Sequence, residues 1–346
     1  MLPDQIRDWV RHDFGINLTR LEPITLGADN RALTWRVTTP TGGTYAVKWT
    51  SGGSTAGSLA SRHLTEAGIT GVVAPVHTTD GDLWSNRDGR RLIVTPWVSG
   101  DRAVEHRMTE PHWRSFGTLL AEVHAAPLPT SLHDVLPEED FSHARLSAVT
   151  QAVDHGLRSN VLSADETVQA LAKEWRAGLA AQIDVLLAGA DDLGCRLRAE
   201  SHRHVLCHGD PHLGNVLVLD GTPWLLDWDD AMLAPPERDL VLLKGGMNAY
   251  GPVNRHEQTW FDAGYGTADI DPVLLAYYRC TRAIEDTVGF VPDILDLDRP
   301  PAERAELLEI IRDVAGPTGL VTLALSSLPK LGRSTADESW PSVRST

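Results

Sequence analysis

The sequence predicts an α+β fold in which a small antiparallel β-sheet is followed by a mainly helical region. Three short runs before residue 99 are rich in Val, Ile, Thr and aromatic residues and are separated by turns that contain glycine, which is typical of strands. From Thr109 onward, apolar residues recur every three or four positions, which is typical of amphipathic helices. A chain of 346 residues with 42% hydrophobic and 23% charged residues is long enough for two globular lobes.

The N-terminal elements are predicted in the order helix, strand, strand, helix, strand. The first helix runs from Asp4 to about Phe14, and its apolar face consists of Ile6, Trp9 and Val10. The strands are the runs RALTWRVTT, TYAVKWT and RRLIVTPWV, and the segment TPTGGT at residues 39–44 joins the first two as a hairpin. A second helix is predicted over residues 55–67, between the second and third strands.

Two helices with N-terminal signals open the helical region. Thr109 is the predicted N-cap of the first, with Pro111 in its first turn and Pro127 beyond its end. The second begins with the capping-box pattern Ser163-x-x-Glu166. The apolar stripes are Trp113, Phe116, Leu119, Leu120 and Val123 in the first helix, and Val168, Leu171, Trp175, Leu179, Ile183 and Leu186 in the second.

The pattern divides the chain into four segments. We expect an N-terminal lobe over residues 1–96, a hinge or linker over residues 97–108, a helical lobe over residues 109–325 and a Ser-rich tail over residues 326–346 that frays. Near residues 204–230, two short apolar runs interrupt the helices of the third segment.

Composition and charge exclude several classes of protein. The net charge of −16 disfavours nucleic acid as a partner, because phosphate backbones are bound by clustered Lys and Arg. Residues 1–96 hold nine acidic and ten basic residues, a balance of +1, which leaves −17 for residues 97–346. The polar start does not resemble a signal peptide, no apolar run is long enough to span a membrane, and three cysteines without a paired framework fit a reducing cytoplasm. We expect a cytoplasmic protein without a membrane partner, and the sequence indicates no oligomeric state.

The stretch HRHVLCHGDPHLGN, residues 202–215, contains four histidines and a cysteine. A closed zinc site is one interpretation, but Gly209 and Pro211 break any regular face on which zinc ligands would converge. The other interpretation is a site for phosphoryl transfer, in which the histidines only flank the acting groups.

Phosphoryl transfer needs a particular arrangement of side chains, which consists of a loop aspartate, an asparagine five positions later and an acid after a hairpin. Asp210 can accept the proton of an attacking hydroxyl, Asn215 can coordinate Mg²⁺, and Asp227 at the end of the run PWLL can bridge the metal to nucleotide phosphates. Lys48 in the strand YAVKW would supply positive charge to the α and β phosphates. Each motif alone is weak, but their order and spacing together favour a kinase-type site.

These motifs resemble those of the aminoglycoside phosphotransferase and choline kinase-like family, which has the two-lobed protein-kinase fold. CHGDPHLGN resembles the family's HGDxxxxN catalytic loop, LLDWDD its metal-binding segment and YAVKW its lysine strand. Within the family, LGADNRALTWRV, LLDWDDAMLAPPERDL and GYGTADIDPVLLAYYRCTRAIEDTVGF are most similar to the spectinomycin phosphotransferases. The resemblance implies an enzyme that uses ATP (or GTP) and Mg²⁺ to phosphorylate a hydroxyl of an aminocyclitol antibiotic, for resistance or self-resistance.

The resemblance also implies a role for each matching residue. These roles are Asp210 as catalytic base, Asn215 and Asp227 as Mg²⁺ ligands, and Lys48 as phosphate anchor in the N-terminal nucleotide-binding lobe. His208 would hold the catalytic loop through backbone hydrogen bonds, and Asp239 in the segment ERDL would brace that loop from behind.

Two features depart from the kinase pattern. A protein-kinase-like site pairs its strand lysine with a glutamate on the next helix. Between Thr50 and Thr79, however, the only acid is Glu66, at the end of the predicted helix, so either Glu66 reaches back or Lys48 is positioned otherwise. The expected phosphate loop LGADNRA has a single glycine, so backbone N–H groups and the Asn30 side chain would contact the phosphates.

The hinge between the lobes is predicted at VTPWVSG, residues 94–100. The nucleotide base would form hydrogen bonds with backbone groups near Thr95 and Trp97, because Pro96 has no N–H. The Trp97 ring either stacks on the base or belongs to the core.

The substrate is expected to be a cationic, polyhydroxylated small molecule, because acids are concentrated in the helical lobe. Carboxylates and aromatic faces would bind it, and the candidates are Asp229, Asp230, Tyr250, Tyr265, Tyr278, Glu285 and Asp286. Each candidate also has a structural interpretation, and Glu285 and Asp286 could instead pair with Arg279 and Arg282. Alternative functions are the same chemistry on a nucleoside antibiotic or on a metabolic alcohol such as choline, and a catalytically silent nucleotide-binding protein.

Overall fold

A computed structural model of the chain describes residues 2–24, 32–160, 163–244, 253–266 and 269–328. The elements before residue 142 are α1 (Leu2–Phe14), β1 (Arg20–Ile24), β2 (Ala32–Thr38), β3 (Thr44–Thr50), α2 (Thr55–Glu66), β4 (Ser85–Arg87), β5 (Arg90–Pro96), β6 (Asp101–Arg102), α3 (Glu110–Ala125) and α4 (Thr130–His133). The elements after it are α5 (Ala144–Ser159), α6 (Glu166–Glu174), α7 (Ala180–Leu197), β7 (Val205–Cys207), β8 (Val216–Leu219), β9 (Thr222–Leu225), β10 (Met232–Ala234), α8 (Glu237–Leu240), α9 (Arg255–Tyr265), α10 (Pro272–Val288), α11 (Val291–Leu295), α12 (Pro301–Ala315) and α13 (Leu320–Ser327). The mixed α+β class and the predicted N-terminal helices and strands are confirmed.

The chain divides into two compact units. The first contains the residues up to Ser142 together with Gly194–Tyr278, and the second contains His143–Leu193 together with the residues from Arg279 onward. The N-terminal sheet and the segment that carries Asp210 and Asp227 both belong to the first unit. Among the residues with a described structure, no helix is both long and apolar enough to cross a bilayer.

Five antiparallel strands form the N-terminal sheet in the order β1-β2-β3-β5-β4. Side chains alternate along β3, so Val47 and Lys48 point to opposite faces of the sheet. Val47 is fully buried and packs in one cluster with Ile6 of α1, which leaves Lys48 on the face away from α1. In the strand register, Lys48 lies opposite Thr34 of β2 and Ile93 of β5.

The strands β1 and β4 were not predicted, and both lie at the edges of the sheet. Proline disfavours a strand because it has no N–H to donate to a neighbour, but an edge position tolerates it. Pro23 lies within β1. The sequence around it therefore disfavours a strand, although the position of β1 at the edge of the sheet permits one. β4 has only three residues, too few for a recognisable alternation.

The larger core of the first unit fixes the position of the segment around Asp227. The helix predicted after Thr109 is confirmed as α3, with Thr109 as its N-cap. Its apolar face packs against α9, and the rings of Phe116 and Phe261 meet edge-on at 5.7 Å. Leu225 and Trp228 are buried in the same cluster, so Asp227 is held between two core residues.

In the second unit, the N-cap of α6 is Asp165, and the predicted capping box at Ser163 is wrong. The Asp165 carboxylate accepts hydrogen bonds from the backbone N–H groups of Thr167 and Val168, whereas Ser163 Oγ accepts from Asp165 N at 3.2 Å. The Asp165 carboxylate also accepts a bond of 2.7 Å from the buried Arg304 of α12, which favours the acid over the serine as the cap. The predicted apolar stripe is confirmed as buried, although a π turn at Trp175–Leu179 divides it between α6 and α7.

Asp13, near the end of α1, ties this helix to β4. Its carboxylate accepts hydrogen bonds from Ser85 Oγ at 2.6 Å and from Arg87 Nε at 2.8 Å, and the residue is only 8% exposed. Burial raises the pKa of Asp13, but the bonds from Arg87, Ser85 and His12 outweigh burial and lower the pKa to about 2.

Replacement of Asp13 by Asn should lower the free energy of unfolding by about 2 kcal/mol at pH 7, as measured by urea denaturation. The carboxylate stabilises the fold above its ordinary pKa near 3.8, and this contribution is lost as the pH falls toward about 2. The difference between D13N and the parent should therefore shrink below pH 4. Asp8→Asn, at an exposed position of the same helix, is the control and should be nearly neutral. Equal stability of D13N and the parent at pH 7 would contradict this account.

Candidate active site

Lys48 and the turn at residues 227–230 form the centre of the candidate site. Lys48 Nζ lies 2.9 Å from Asp227 Oδ1 and 2.9 Å from Asp229 Oδ2. Burial lowers the pKa of Lys48, but the two carboxylates outweigh burial and hold the pKa above its ordinary value. The lysine therefore stays protonated and offsets one of the two negative charges.

Glu66 does not pair with Lys48. Its side chain is 64% exposed, and its ion-pair partner is Arg62, whose Nε lies 3.9 Å away. The second of the two sequence-based alternatives therefore holds, because Asp227 and Asp229 position Lys48.

Asp227 lies where β9 passes into the 227–230 turn. Its φ of 59° falls in the left-handed region, which aspartate adopts more readily than most residues. The Leu226 N–H donates to the Asn215 carbonyl at 2.8 Å, so the backbone just before Asp227 is joined to the backbone of Asn215. The Asp227 side chain is 43% exposed and can be reached by a ligand from solvent.

The 208–215 loop presents Asp210 and Asn215 next to each other. Asn215 Nδ2 donates to the Asp210 carbonyl at 3.0 Å, so Oδ1 is the side-chain atom of Asn215 that remains to coordinate a cation. Asn215 N donates to the His212 carbonyl at 2.8 Å, and His212 N donates to the Asp210 carbonyl at 2.9 Å. These bonds keep the five-residue interval from Asp210 to Asn215 compact.

His208 connects this loop to the 227–230 turn. Asp210 N donates to His208 Nδ1 at 3.2 Å, so the proton of the neutral ring lies on Nε2. His208 Nε2 then donates to the Leu226 carbonyl at 2.8 Å. The imidazole therefore lies between the two chain segments that carry Asp210 and Asp227.

Asp239 of α8 lies behind the loop and has no exposed surface. Its two oxygens accept hydrogen bonds from His208 N and Gly209 N, each at 2.8 Å. His124 Nε2 donates to Asp239 at 3.0 Å, and His124 Nδ1 bonds to the Tyr265 hydroxyl at 2.7 Å. Burial raises the pKa of Asp239, but the bond and charge of His124 and the backbone donors outweigh burial and lower the pKa.

Each histidine of the 202–215 stretch has its own partner. His202 Nε2 donates to the Leu197 carbonyl at 3.0 Å, and His204 Nδ1 lies 2.9 Å from Glu138 Oε1. His212 Nδ1 accepts from Gly214 N at 2.9 Å, and its Nε2 lies 3.4 Å from Asp210 Oδ2. The four rings do not converge, so this geometry gives no support to a zinc site formed by the stretch.

Within the described part of the chain, one buried group has ligand atoms close enough to hold a metal ion, namely His124, Cys207 and Asp239. The hydrogen bonds of His124 and Asp239 already account for their arrangement. Burial raises the pKa of the Cys207 thiol well above its ordinary value, and the thiol donates to the carbonyls of Ala234 and Pro235 at 3.6 Å. The hydrogen bonds account for the positions of all three side chains, so the geometry gives no separate support to a metal site there.

The residues of the predicted hinge lie at the end of β5. Thr95 pairs with Ala46 of β3, and the Trp97 N–H donates to the Thr44 carbonyl at 3.1 Å. The Arg36 guanidinium lies over the Trp97 ring, 5.2 Å from its centroid. The ring is partly exposed, so any contact of Trp97 with a base must use the ring or the carbonyl.

Comparison with known proteins gives the family. The family described as "phosphotransferase enzyme family" (APH) matches residues 20–282. The chain belongs to this family. Membership identifies it as a phosphotransferase with an alcohol group as acceptor.

Several proteins are similar to this phosphotransferase. Spectinomycin phosphotransferase APH(9)-Ia, solved with ADP and spectinomycin, is 26% identical with a TM-score of 0.77, over 94% of this chain and 98% of that chain. Amicoumacin kinase hAmiN, solved with AMP-PNP, Ca²⁺ and Ami, shares the fold at 16% identity and a TM-score of 0.58, over 92% of this chain and 96% of that one. Protein StrN of Streptomyces griseus is 30% identical over 184 residues, which are 52% of this chain and 57% of StrN.

Two of the predicted substrate residues of this phosphotransferase have structural roles. Tyr278 has no exposed surface and packs edge-on against Tyr277, so it cannot contact a substrate. Tyr265 stacks on Phe261, and its hydroxyl is bonded to His124. The bond of Tyr265 to His124 spans 141 positions, and the Arg238 guanidinium lies over the Tyr278 ring. Contacts at such separations have no local signal in the sequence.

The remaining substrate candidates have different surroundings. Asp229 faces Lys48, whereas Asp230 is exposed and its backbone lies against Gly209. Asp286 belongs to the second unit and pairs with Arg282 at 2.8 Å, as the structural alternative predicted. Glu285 is half-buried in the same helix, and Tyr250 and Asn30 lie outside the described residues.

Sequence reasoning missed His124 and the pairing of Asp229. His124 is buried in the last turn of α3, on a face with Leu120 and Val123. A polar residue on an apolar face was a signal that it needs a buried partner. Asp229 lies two residues after Asp227, but its contact with Lys48 spans 181 positions and has no local signature.

Replacement of Asp239 by Asn should lower the free energy of unfolding by about 2–4 kcal/mol, because the amide NH₂ would face a backbone N–H donor. Thermal and urea unfolding of the purified variant would measure this loss. Asp271→Asn is the matched control, since Asp271 accepts from Val273 N at the start of a helix and Asn serves equally there. Unchanged stability of D239N would show that Asp239 does not hold the loop.

Proposed function

We propose that this phosphotransferase transfers the γ-phosphoryl group of ATP to a hydroxyl of an aminocyclitol antibiotic, with spectinomycin as the leading substrate. The observation that carries the proposal is the linkage of the 208–215 loop, which holds Asp210 and Asn215, to the 227–230 turn, whose Asp227 contacts Lys48. The likeness to spectinomycin phosphotransferase over most of both chains supports the choice of substrate. GTP is the alternative donor, and an acidic C-terminal part of net charge −17 accords with a cationic substrate.

The residues at this place fit a magnesium ion. Asp227 offers an accessible carboxylate and Asn215 a carboxamide oxygen, and Mg²⁺ prefers such hard oxygen ligands, completed by phosphates and water. When bound, the metal would neutralise charge on the transferring phosphoryl group. The turn has two carboxylates against one lysine before a cation binds, so added positive charge is favoured.

The chain's own residues perform the remaining steps. Asp210 accepts the proton of the substrate hydroxyl while the hydroxyl oxygen forms a bond to the γ-phosphorus. The bond between that phosphorus and the β–γ bridging oxygen breaks, and ADP leaves. Lys48 supplies positive charge to the α and β phosphates, and the braced loop holds Asp210 in line for the transfer.

We place the reaction in the cytoplasm, where ATP is available. Three cysteines without a paired framework accord with that compartment.

The proposal is tested by incubating the protein with ATP and Mg²⁺ and scoring each acceptor for the added mass of one phosphate. The acceptors are spectinomycin, several aminoglycosides, a nucleoside antibiotic and choline. Selective phosphorylation of spectinomycin supports the substrate, and phosphorylation of another compound keeps the chemistry and replaces the substrate. ATP binding without transfer to any acceptor would count against the proposal.

Replacement of Asp210 by Asn should lower kcat by roughly 10²- to 10⁴-fold with the accepted substrate, because the amide cannot take the hydroxyl proton. The KM for ATP should stay within a few-fold of the parent value. Asp220→Asn, an exposed aspartate between β8 and β9, makes the same chemical change away from the loop and should leave kcat unaltered. A kcat of D210N within a few-fold of the parent would exclude Asp210 as the base.

A further inference from the structure

The start of α2 and the segment that leads into it pack too closely on the 227–230 turn for a side chain at Gly53 or Gly57. A Cβ atom on Gly57 would lie 2.0 Å from the Trp228 carbonyl oxygen, and one on Gly53 would lie 2.3 Å from Asp229 Cγ. Ser54 N donates to the Asp229 carbonyl at 3.3 Å. The start of the helix therefore packs directly on the 227–230 turn, with no side chain between them at Gly53 and Gly57.

The two carboxylates on Lys48 differ in their access to solvent. The side chains of Asp229 and Lys48 are each 20% exposed, whereas that of Asp227 is 43% exposed. Asp229 is covered by Gly53. A ligand arriving from solvent can therefore reach Asp227 while the contact between Asp229 and Lys48 stays enclosed.

The backbone on either side of Asp229 is held independently of Lys48. Trp228 Nε1 donates to the Leu225 carbonyl at 3.1 Å, and Ala231 N donates to the Trp228 carbonyl at 3.0 Å. Trp228 and Ala231 are both buried. The backbone that carries the Asp229 carboxylate is therefore fixed in place, which a residue that positions another side chain requires.

We propose that Asp229 is the positioning residue of Lys48 and takes the place of the helix glutamate used in protein-kinase-like sites. Asp227 is the exchangeable partner of the lysine and is released when a cation binds its carboxylate. Asp229 keeps Nζ directed toward the nucleotide phosphates. This inference rests on the proposed function, since it concerns the nucleotide site of the same enzyme.

A double-mutant cycle on nucleotide affinity tests this role. Binding of Mg²⁺ and AMP-PNP to the full chain is measured by titration calorimetry for the parent, D229N, K48M and K48M/D229N. D229N and K48M should each bind roughly tenfold more weakly than the parent, and the double variant no more weakly than K48M. This non-additivity is expected because Asp229 acts through Lys48.

Glu66→Gln is the matched control, because Glu66 is the acid of α2 and is exposed. E66Q should bind the nucleotide with parental affinity. Weakened binding by E66Q, parental affinity of D229N, or losses that add in K48M/D229N would each overturn the proposal. Additive losses of nucleotide affinity, together with a higher Mg²⁺ concentration needed for binding, would instead identify Asp229 as a metal ligand.

Two safeguards keep the result interpretable. D229N leaves Lys48 paired with Asp227 alone, whereas K48M/D229N removes one charge of each sign and should fold even if D229N does not. In that case the comparison of K48M with K48M/D229N tests the proposal by itself. Equal nucleotide affinities of the two variants would support it, and weaker binding by the double variant would contradict it. Calorimetry needs no acceptor, so an unphosphorylated antibiotic would refute the proposed function without affecting this test.

Discussion

One lysine shared between two carboxylates is the interaction on which the site depends. Lys48 comes from the N-terminal sheet, whereas Asp227 and Asp229 come from a turn about 180 positions later. The contact requires the alternation of β3, which directs Lys48 away from α1, and the burial of Leu225 and Trp228 on either side of Asp227. The lysine offsets only one of the two charges, so the turn remains attractive to a cation.

The 208–215 loop is held chiefly through its backbone. Asp239 accepts from two consecutive backbone N–H groups, and His208 joins the loop to the Leu226 carbonyl. Buried hydrogen bonds of this kind are strong because water does not compete for them, and they are costly to leave unmade. Asp210 therefore belongs to a firmly held loop, which suits its proposed role beside a hydroxyl in line with a phosphorus atom.

The local features of this structure could be predicted from the sequence. The run YAVKW predicted β3 and Lys48, and the spacing of Asp210, Asn215 and Asp227 predicted a kinase-type site, because alternation and motif spacing are properties of short segments. The edge strand β1 was missed, since Pro23 disfavours a strand except at an edge that only the assembled sheet reveals.

Contacts between distant segments could not be predicted from the sequence. Tyr278 was predicted to contact substrate but lies in the core. The sequence does not distinguish the two cases, because an aromatic residue can serve either to bind a substrate or to pack in a core. Asp229 was expected to bind substrate and instead faces Lys48. The sequence showed that a helix glutamate was missing near the start of α2, but only the structure shows that Asp229 contacts Lys48 and that Gly53 and Gly57 pack against the turn.

The most direct test of this account is a crystal structure of the full chain with Mg²⁺ and AMP-PNP. The account predicts that Lys48 Nζ stays within hydrogen-bond distance of Asp229 and moves from Asp227 to the phosphates, with the metal on Asp227 and Asn215. A structure in which the metal lies on Asp229 and the lysine is held by another acid would contradict it.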